Sequence, residues 1–279
     1  RNFTMAARDV MAPDGFHGAV RTALRKEPAS TREITLYVHG YNNTFSDGVF
    51  RLAQLQHDVG LTGALVHFSW PSAAHPLGYG RDRDSMLYSR DALEELIRDL
   101  RSNTSARIVL VGHSMGTMLI METLRQIEIA TPGWSDSAIG GVVLISPDID
   151  IDLFRAQAKR IRELPQPFAI FVSHRDRALR LSALLSGADN RLGNISDPEP
   201  LGDFPVTLID VSSFAKSSGS AHFTAGTSPA LIKMLSRSAE LDRAFRDDRS
   251  GNPGLLPGTI IRVRKATQLI LSPDLTQTN

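Results

Sequence analysis

The chain contains no cysteine. Disulfides, thiolate zinc sites and a cysteine nucleophile are therefore all ruled out, while the redox compartment stays open. No apolar run approaches the ~18 residues that a membrane-crossing helix needs, and no basic-then-apolar leader opens the chain. An excess of one charge is also missing: 31 Lys and Arg face 30 Asp and Glu, for a formal net charge of +1. That balance argues against nucleic acid as a main partner. Three histidines that topology later places together, His39, His113 and His174, are not spaced as a metal-ligand set, so neither metal nor cofactor is expected. There is no internal repeat and no low-complexity tract. The first residue is Arg1 rather than Met. This points to a segment removed upstream, and both the cell envelope and the cytoplasm remain open as locations.

What is present suffices for a large core: 279 residues, 42% of them hydrophobic. Short, continuously apolar runs fall at 34–38, 64–68, 108–111, 141–145, 168–172 and 206–211. Runs of this kind are buried on both faces, which implies a parallel sheet covered by helices. Segments with helical spacing lie between them. One begins at Asp14, read as its cap, and Pro28 stops it. Others cover 47–59, 83–101, 151–164, about 178–185 and 229–238, the last with Ser228 as cap and Pro229 in its first turn. The connection at 71–82 reads as a long loop, with Arg81-Asp82-Arg83-Asp84 as a solvated helix start. Residues 186–205 read as an irregular connection on the edge opposite the chemistry. After Arg246 the composition changes to a linker-like stretch. Residues 1–246 are therefore read as the main domain (core about 14–238) and 247–279 as an appendage packed on it, with edge-type strands near 261–264 and 269–271.

Chemistry enters at Gly112-His113-Ser114-Met115-Gly116, between a buried strand and a helix. A serine on so sharp a turn needs residues without bulk two positions to either side, and both are glycine. The turn holds the hydroxyl above the sheet and aims the Met115 amide at the place where an oxyanion would form. Right-handed crossovers put every strand-to-helix loop on one edge of the sheet, so partners of Ser114 must lie on other loops of that edge. In sheets carrying such an elbow the chain order is serine, acid, histidine. Asp176 follows the fifth run and His222 follows the sixth. Asp148 and Asp150, after the fourth, are alternative acids, and Asp210 reads as a structural hydrogen-bonder. The second oxyanion donor is expected in the His39-Gly40-Tyr41 loop, at the Tyr41 N–H, because Gly40 lets the backbone approach the substrate. Trp70, Leu77 and Tyr79 are candidate pocket walls, with residues 70–82 and 212–221 as movable flanks. The stretch 146–167 has room for one helix and its turns but not for a cap domain.

The pieces YVHGYNNTF, FSWPS, GHSMG, SPDID, SHRDRAL and SAHF together resemble a bacterial α/β-hydrolase family of unknown function, with esterase- and lipase-like serine hydrolases as its type. The resemblance covers roughly residues 14–238. It implies the α/β-hydrolase fold and a serine-hydrolase triad, carried here onto Ser114, Asp176 and His222, but it implies no substrate. In two respects the chain is expected to depart from the pattern: its start is read as falling after the antiparallel strands that usually open the fold, and the tail after Arg246 has no counterpart in it. The expected activity is hydrolysis of a small-molecule carboxylic ester through an acyl-enzyme. The same site could serve a thioesterase, an amidase or an acyltransferase, and the contrasting reading is a catalytically silent binding module. Oligomeric state is not legible.

Overall fold

The computed structural model describes residues 4–174, 176, 179, 182, 190–213 and 258–271. Among the described residues eight strands form one sheet in the order β2-β1-β3-β4-β5-β6-β8-β7. They are β1 (Glu33–Val38), β2 (Ala64–Phe68), β3 (Arg107–His113), β4 (Ile139–Ile145), β5 (Phe168–Val172), β6 (Thr207–Asp210), β7 (Gly258–Val263) and β8 (Ala266–Leu271). All neighbours are parallel except the β7–β8 hairpin. The order reverses direction between β1 and β3, and such a switch point opens a crevice beyond the carboxyl ends of the strands.

The helices are α1 (Pro13–Leu24), α2 (Phe45–Val59), α3 (Tyr79–Tyr88), α4 (Arg90–Asn103), α5 (Met115–Ala130), α6 (Trp134–Ala138) and α7 (Ile151–Arg160). Strand side chains alternate between two cores. Ile34, Leu36, Leu110, Leu144 and Ile170 pack with Leu24, Met86, Ile97, Leu119 and Phe154, which come from α1, α3, α4, α5 and α7. On the opposite face Tyr37, Val111, Ile145, Phe171 and Ile209 pack with Leu52 and Leu55 of α2. A sheet that is apolar on both faces in this way accounts for the unbroken hydrophobic runs. The connection from β4 to β5 carries the single helix α7.

Several boundaries differ from expectation. Helix α1 starts at Pro13 with Ala12 as its cap, so Asp14 sits in the first turn, where a negative charge complements the helix dipole. Helix α2 starts two residues early because Thr44 and Asp47 form a reciprocal capping box. The single helix expected at 83–101 is two, broken at Ser89, and its first half begins at Tyr79. The loop before it is correspondingly shorter. Residues 190–194 do not lie on the far edge. Leu192 N–H donates to Ile149 O, Gly193 N–H to Pro147 O and Ser173 N–H to Gly193 O, which folds this segment over the carboxyl ends of β4 and β5. Of the helix expected near 178–185 only Leu179 and Ser182 are described, both helical. The helix expected at 229–238 lies outside the described residues.

Candidate active site

Ser114 closes β3 and caps α5. Its backbone, at φ 51° and ψ −124°, occupies a region that a non-glycine residue holds only under constraint. The constraint is visible on both sides: Ser114 N–H donates to Ile145 O at 3.0 Å, and Ser114 O accepts from Thr117 N at 3.0 Å and Thr117 Oγ1 at 2.6 Å. Gly116 is a steric necessity and Gly112 sits in a tight space. A Cβ on Gly116 would lie 2.4 Å from His39 O and 2.5 Å from Val38 O, because α5 abuts the end of β1. A Cβ on Gly112 would lie 2.8 Å from Ile120 Cδ1. The serine side chain makes no capping bond to the helix that follows. Met115 and Gly116 open α5, and amides at a helix start, together with the helix dipole, favour negative charge at this point.

The β1–β3 register sets Val38 opposite Gly112, so the loop after β1 runs beside the elbow. A Cβ on Gly40 would stand 2.8 Å from Ser114 Cβ. His39 is fully buried, stacked on Trp70 with centroids 4.8 Å apart. Its Nδ1 lies 2.9 Å from Gly40 O and its Nε2 3.0 Å from Trp70 O. Burial pushes the His39 pKa below the usual histidine value, and the two carbonyl contacts oppose that shift. The Gly40 carbonyl and the Tyr41 N–H belong to one planar peptide and point in opposite directions. Holding the carbonyl on the His39 side therefore turns the Tyr41 N–H away from it.

The carboxylates differ sharply in their surroundings. Asp176 is fully buried; its N–H donates to Ser173 O at 3.0 Å and its Oδ1 accepts from Leu179 N at 3.2 Å. Asp148 is engaged on both oxygens. Arg191 Nε lies 3.2 Å from Oδ1, Ser182 Oγ donates to Oδ1 at 2.7 Å, and Tyr79 Oη donates to Oδ2 at 3.1 Å. Burial, together with the Asp148 charge, pushes the Tyr79 phenol up to about 12. Asp150 caps α7 through the amides of Asp152 and Leu153. Asp210 accepts from Ser212 N–H at 2.9 Å and from the Ser212 hydroxyl, as a structural hydrogen-bonder would. His222 and residues 214–221 lie outside the described residues.

The three wall candidates separate. Trp70 is a core residue, buried against His39 with Nε1 donating to His39 O at 2.8 Å, so it supports the loop rather than lining a pocket. Tyr79 is buried beneath the site, with its hydroxyl on Asp148, while Leu77 stands 87% exposed. Two residues escaped the sequence reading. Arg191 belongs to a segment expected on the far edge, and a lone arginine in a polar stretch gives no sign of burial. Asp82, read as solvated, is fully buried and accepts three hydrogen bonds from distant loops. Alternating charges at a helix start conceal such a role.

Residues 14–238 match the family described as alpha/beta hydrolase of unknown function (DUF900), and the chain belongs to that family. The uncharacterized protein alr1448 of Nostoc sp. is 38% identical over 65 residues, which are 23% of this chain and 17% of that protein. The matched stretch thus spans a small part of that relative's length. Among solved structures, TT1662 from Thermus thermophilus overlaps with a TM-score of 0.47 at 12% identity, over 77% of this chain and 90% of that one. An esterase from Pyrobaculum calidifontis overlaps with a TM-score of 0.42 at 12% identity, over 83% of this chain and 92% of that one. Both overlaps are partial, and family membership rests on the match over 14–238. No helix among the described residues is long and apolar enough to cross a membrane.

Proposed function

We propose that this α/β hydrolase is a serine esterase that cleaves small-molecule carboxylic esters through an acyl-enzyme. In this reading 1–246 carries the catalytic residues, and the 247–279 tail, expected as a packed appendage, contributes β7 and β8 to the same sheet. The observation that carries the proposal is the constrained backbone of Ser114 at the N-terminus of α5. Strain of this kind costs about 1–3 kcal/mol and persists where the surroundings enforce it, typically at functional sites.

In the proposed reaction His222 removes the Ser114 hydroxyl proton as Oγ attacks the ester carbonyl. The resulting oxyanion accepts from the N–H groups of Met115 and Tyr41, each donor being worth roughly 10²–10³ in turnover. His222 then protonates the leaving alcohol as the C–O bond breaks, and water repeats the sequence to release the acid and free serine. Asp176 orients the imidazole and stabilises its protonated form. Its burial after β5 supports that assignment. Asp148 is engaged by Arg191, Ser182 and Tyr79, and Asp150 by its capping bonds, so each already has a structural task.

The test is covalent. A fluorophosphonate probe should label the protein at Ser114, and Ser114→Ala should abolish both labelling and hydrolysis of p-nitrophenyl esters. A folded protein that takes no label and turns over no ester refutes the proposal.

A further inference from the structure

Asp82 is a carboxylate removed entirely from water. A buried carboxylate is tolerated only when donors satisfy its lone pairs, and here the donors come from two separate loops. Oδ1 accepts from Ala73 N at 2.6 Å; Oδ2 accepts from Asn42 N at 3.2 Å and from the Ser72 hydroxyl at 2.6 Å. The Ser72 oxygen itself accepts from Asn43 N and Ala74 N, each at 3.2 Å. Four amides, two after β1 and two after β2, therefore converge on one carboxylate–hydroxyl pair.

Two of the four residues sit in the left-handed region, Asn42 at φ 54° and Ala74 at φ 49°. Alanine has no side chain that could hold such a backbone locally, so the bonds to Ser72 and Asp82 are what over-determine it. On the active-site side the consequence is geometric. The peptide joining Tyr41 to Asn42 is pinned at both ends: Asn43 Nδ2 donates to Tyr41 O at 2.7 Å, and Asn42 N–H donates to Asp82. In the preceding peptide, which carries the Tyr41 N–H, Gly40 O accepts from Asn43 Nδ2 at 3.4 Å and lies 2.9 Å from His39 Nδ1. Releasing Asp82 frees one of the two neighbouring planes that fix the aim of that amide.

We propose that Asp82, bridged by Ser72, is a positioning residue that sets the Tyr41 N–H as the second oxyanion donor; this rests on the serine-esterase reading. Asp82→Asn cannot mimic the carboxylate in either orientation. Its amide nitrogen would face the Ala73 N–H at one oxygen position and the Asn42 N–H at the other, and donor would meet donor.

The experiment compares wild type, Asp82→Asn and Ser72→Ala on p-nitrophenyl esters, with kcat expressed per site titrated to end-point by fluorophosphonate. Misplacing a reacting group by about 1 Å can cost ~10² in rate. Asp82→Asn is therefore expected to lose about 10- to 100-fold in kcat per titrated site with KM nearly unchanged, as removal of a transition-state interaction requires. A trifluoromethyl ketone, which forms a tetrahedral adduct on the serine, should bind more weakly by a similar factor. Ser72→Ala, which keeps the carboxylate, should show the same pattern with a smaller loss. A merely structural role would instead lower the number of titratable sites and leave kcat per site intact, and that result overturns the inference. Wild type that neither labels nor turns over overturns the esterase reading and this inference together. Active wild type with unchanged kcat in Asp82→Asn overturns the inference alone.

Discussion

Replacing Gly40 with alanine would set a methyl carbon 2.8 Å from Ser114 Cβ, 2.9 Å from His113 O and 3.0 Å from His113 Nδ1. Carbon atoms in contact prefer about 3.5–4.0 Å, so the loop and the elbow must part by roughly 1 Å. No backbone penalty accompanies the change, because Gly40 is not among the residues with positive φ. The effect is displacement alone, and it falls on the gap between the proposed nucleophile and the proposed second oxyanion donor. A shift of about 1 Å in that gap can cost ~10² in rate, close to the cost of losing one donor outright. Overpacking should also destabilise the fold by about 1–3 kcal/mol, or roughly 2–10 °C in Tm for a chain of this size. The assay is ester kcat/KM together with the rate of fluorophosphonate labelling, on protein whose thermal unfolding remains cooperative. Both rates should fall by about 10². A folded Gly40→Ala variant within twofold of wild type would show that the oxyanion does not form between these two loops.

Other substitutions separate stability from chemistry. Ser114→Gly removes the strained side chain at φ 51° and should abolish turnover while unfolding no earlier than wild type, since strain of about 1–3 kcal/mol offsets the entropy glycine adds; a markedly lower Tm would contradict a strained elbow. Asp176→Asn should cost about 10⁴ in turnover with little change in Tm, whereas Arg191→Met strands the buried Asp148 charge and should cost about 3–5 kcal/mol of stability by denaturant titration; comparable mild effects of Asp176→Asn and Asp148→Asn on turnover would refute the choice of acid. His67 is held neutral, its pKa pulled down to about 4 by burial and by the neighbouring His39. Its folded pKa lies below the unfolded value of about 6.5, so its contribution is complete above that value and is lost as pH falls toward about 4. His67→Leu should flatten that part of the Tm–pH curve, and an unchanged slope would count against the assignment. Gly18→Ala, at a helical position with nothing within 4 Å of the new Cβ, should stabilise by about 0.5–1 kcal/mol and leave activity alone.

The sheet was legible because its evidence is local. Residues 34–38 or 108–111 carry apolar side chains in unbroken succession, and a short segment of that kind has no stable place except between two layers of helix. The elbow was legible for the same reason: Gly112, Ser114 and Gly116 lie within five residues, and the steric demands on both glycines come from the helix and the strand next to them. Thr44 and Asp47 carried an equally local signal, and the capping box they form shows that α2 begins earlier than its apolar spacing indicates.

Long-range pairing was not legible. Asp82 looks like any charge at a helix start, and what buries it is a set of donors at positions 42, 72 and 73, contributed by loops that meet only once β1 and β2 lie side by side. Arg191 looks like a loop residue until chain reversal over β4 and β5 brings it to Asp148. The position of β8 between β6 and β7 likewise depends on a partner remote in the chain. A hydrophobic run reveals its burial because the solvent it avoids is the same everywhere. A buried charge reveals nothing by itself, since its stability depends on which donors the completed fold brings within hydrogen-bond reach. The amino-acid sequence thus determined the apolar strands and the turn that carries Ser114, while tertiary structure alone decided which polar side chains hold that turn's surroundings in place.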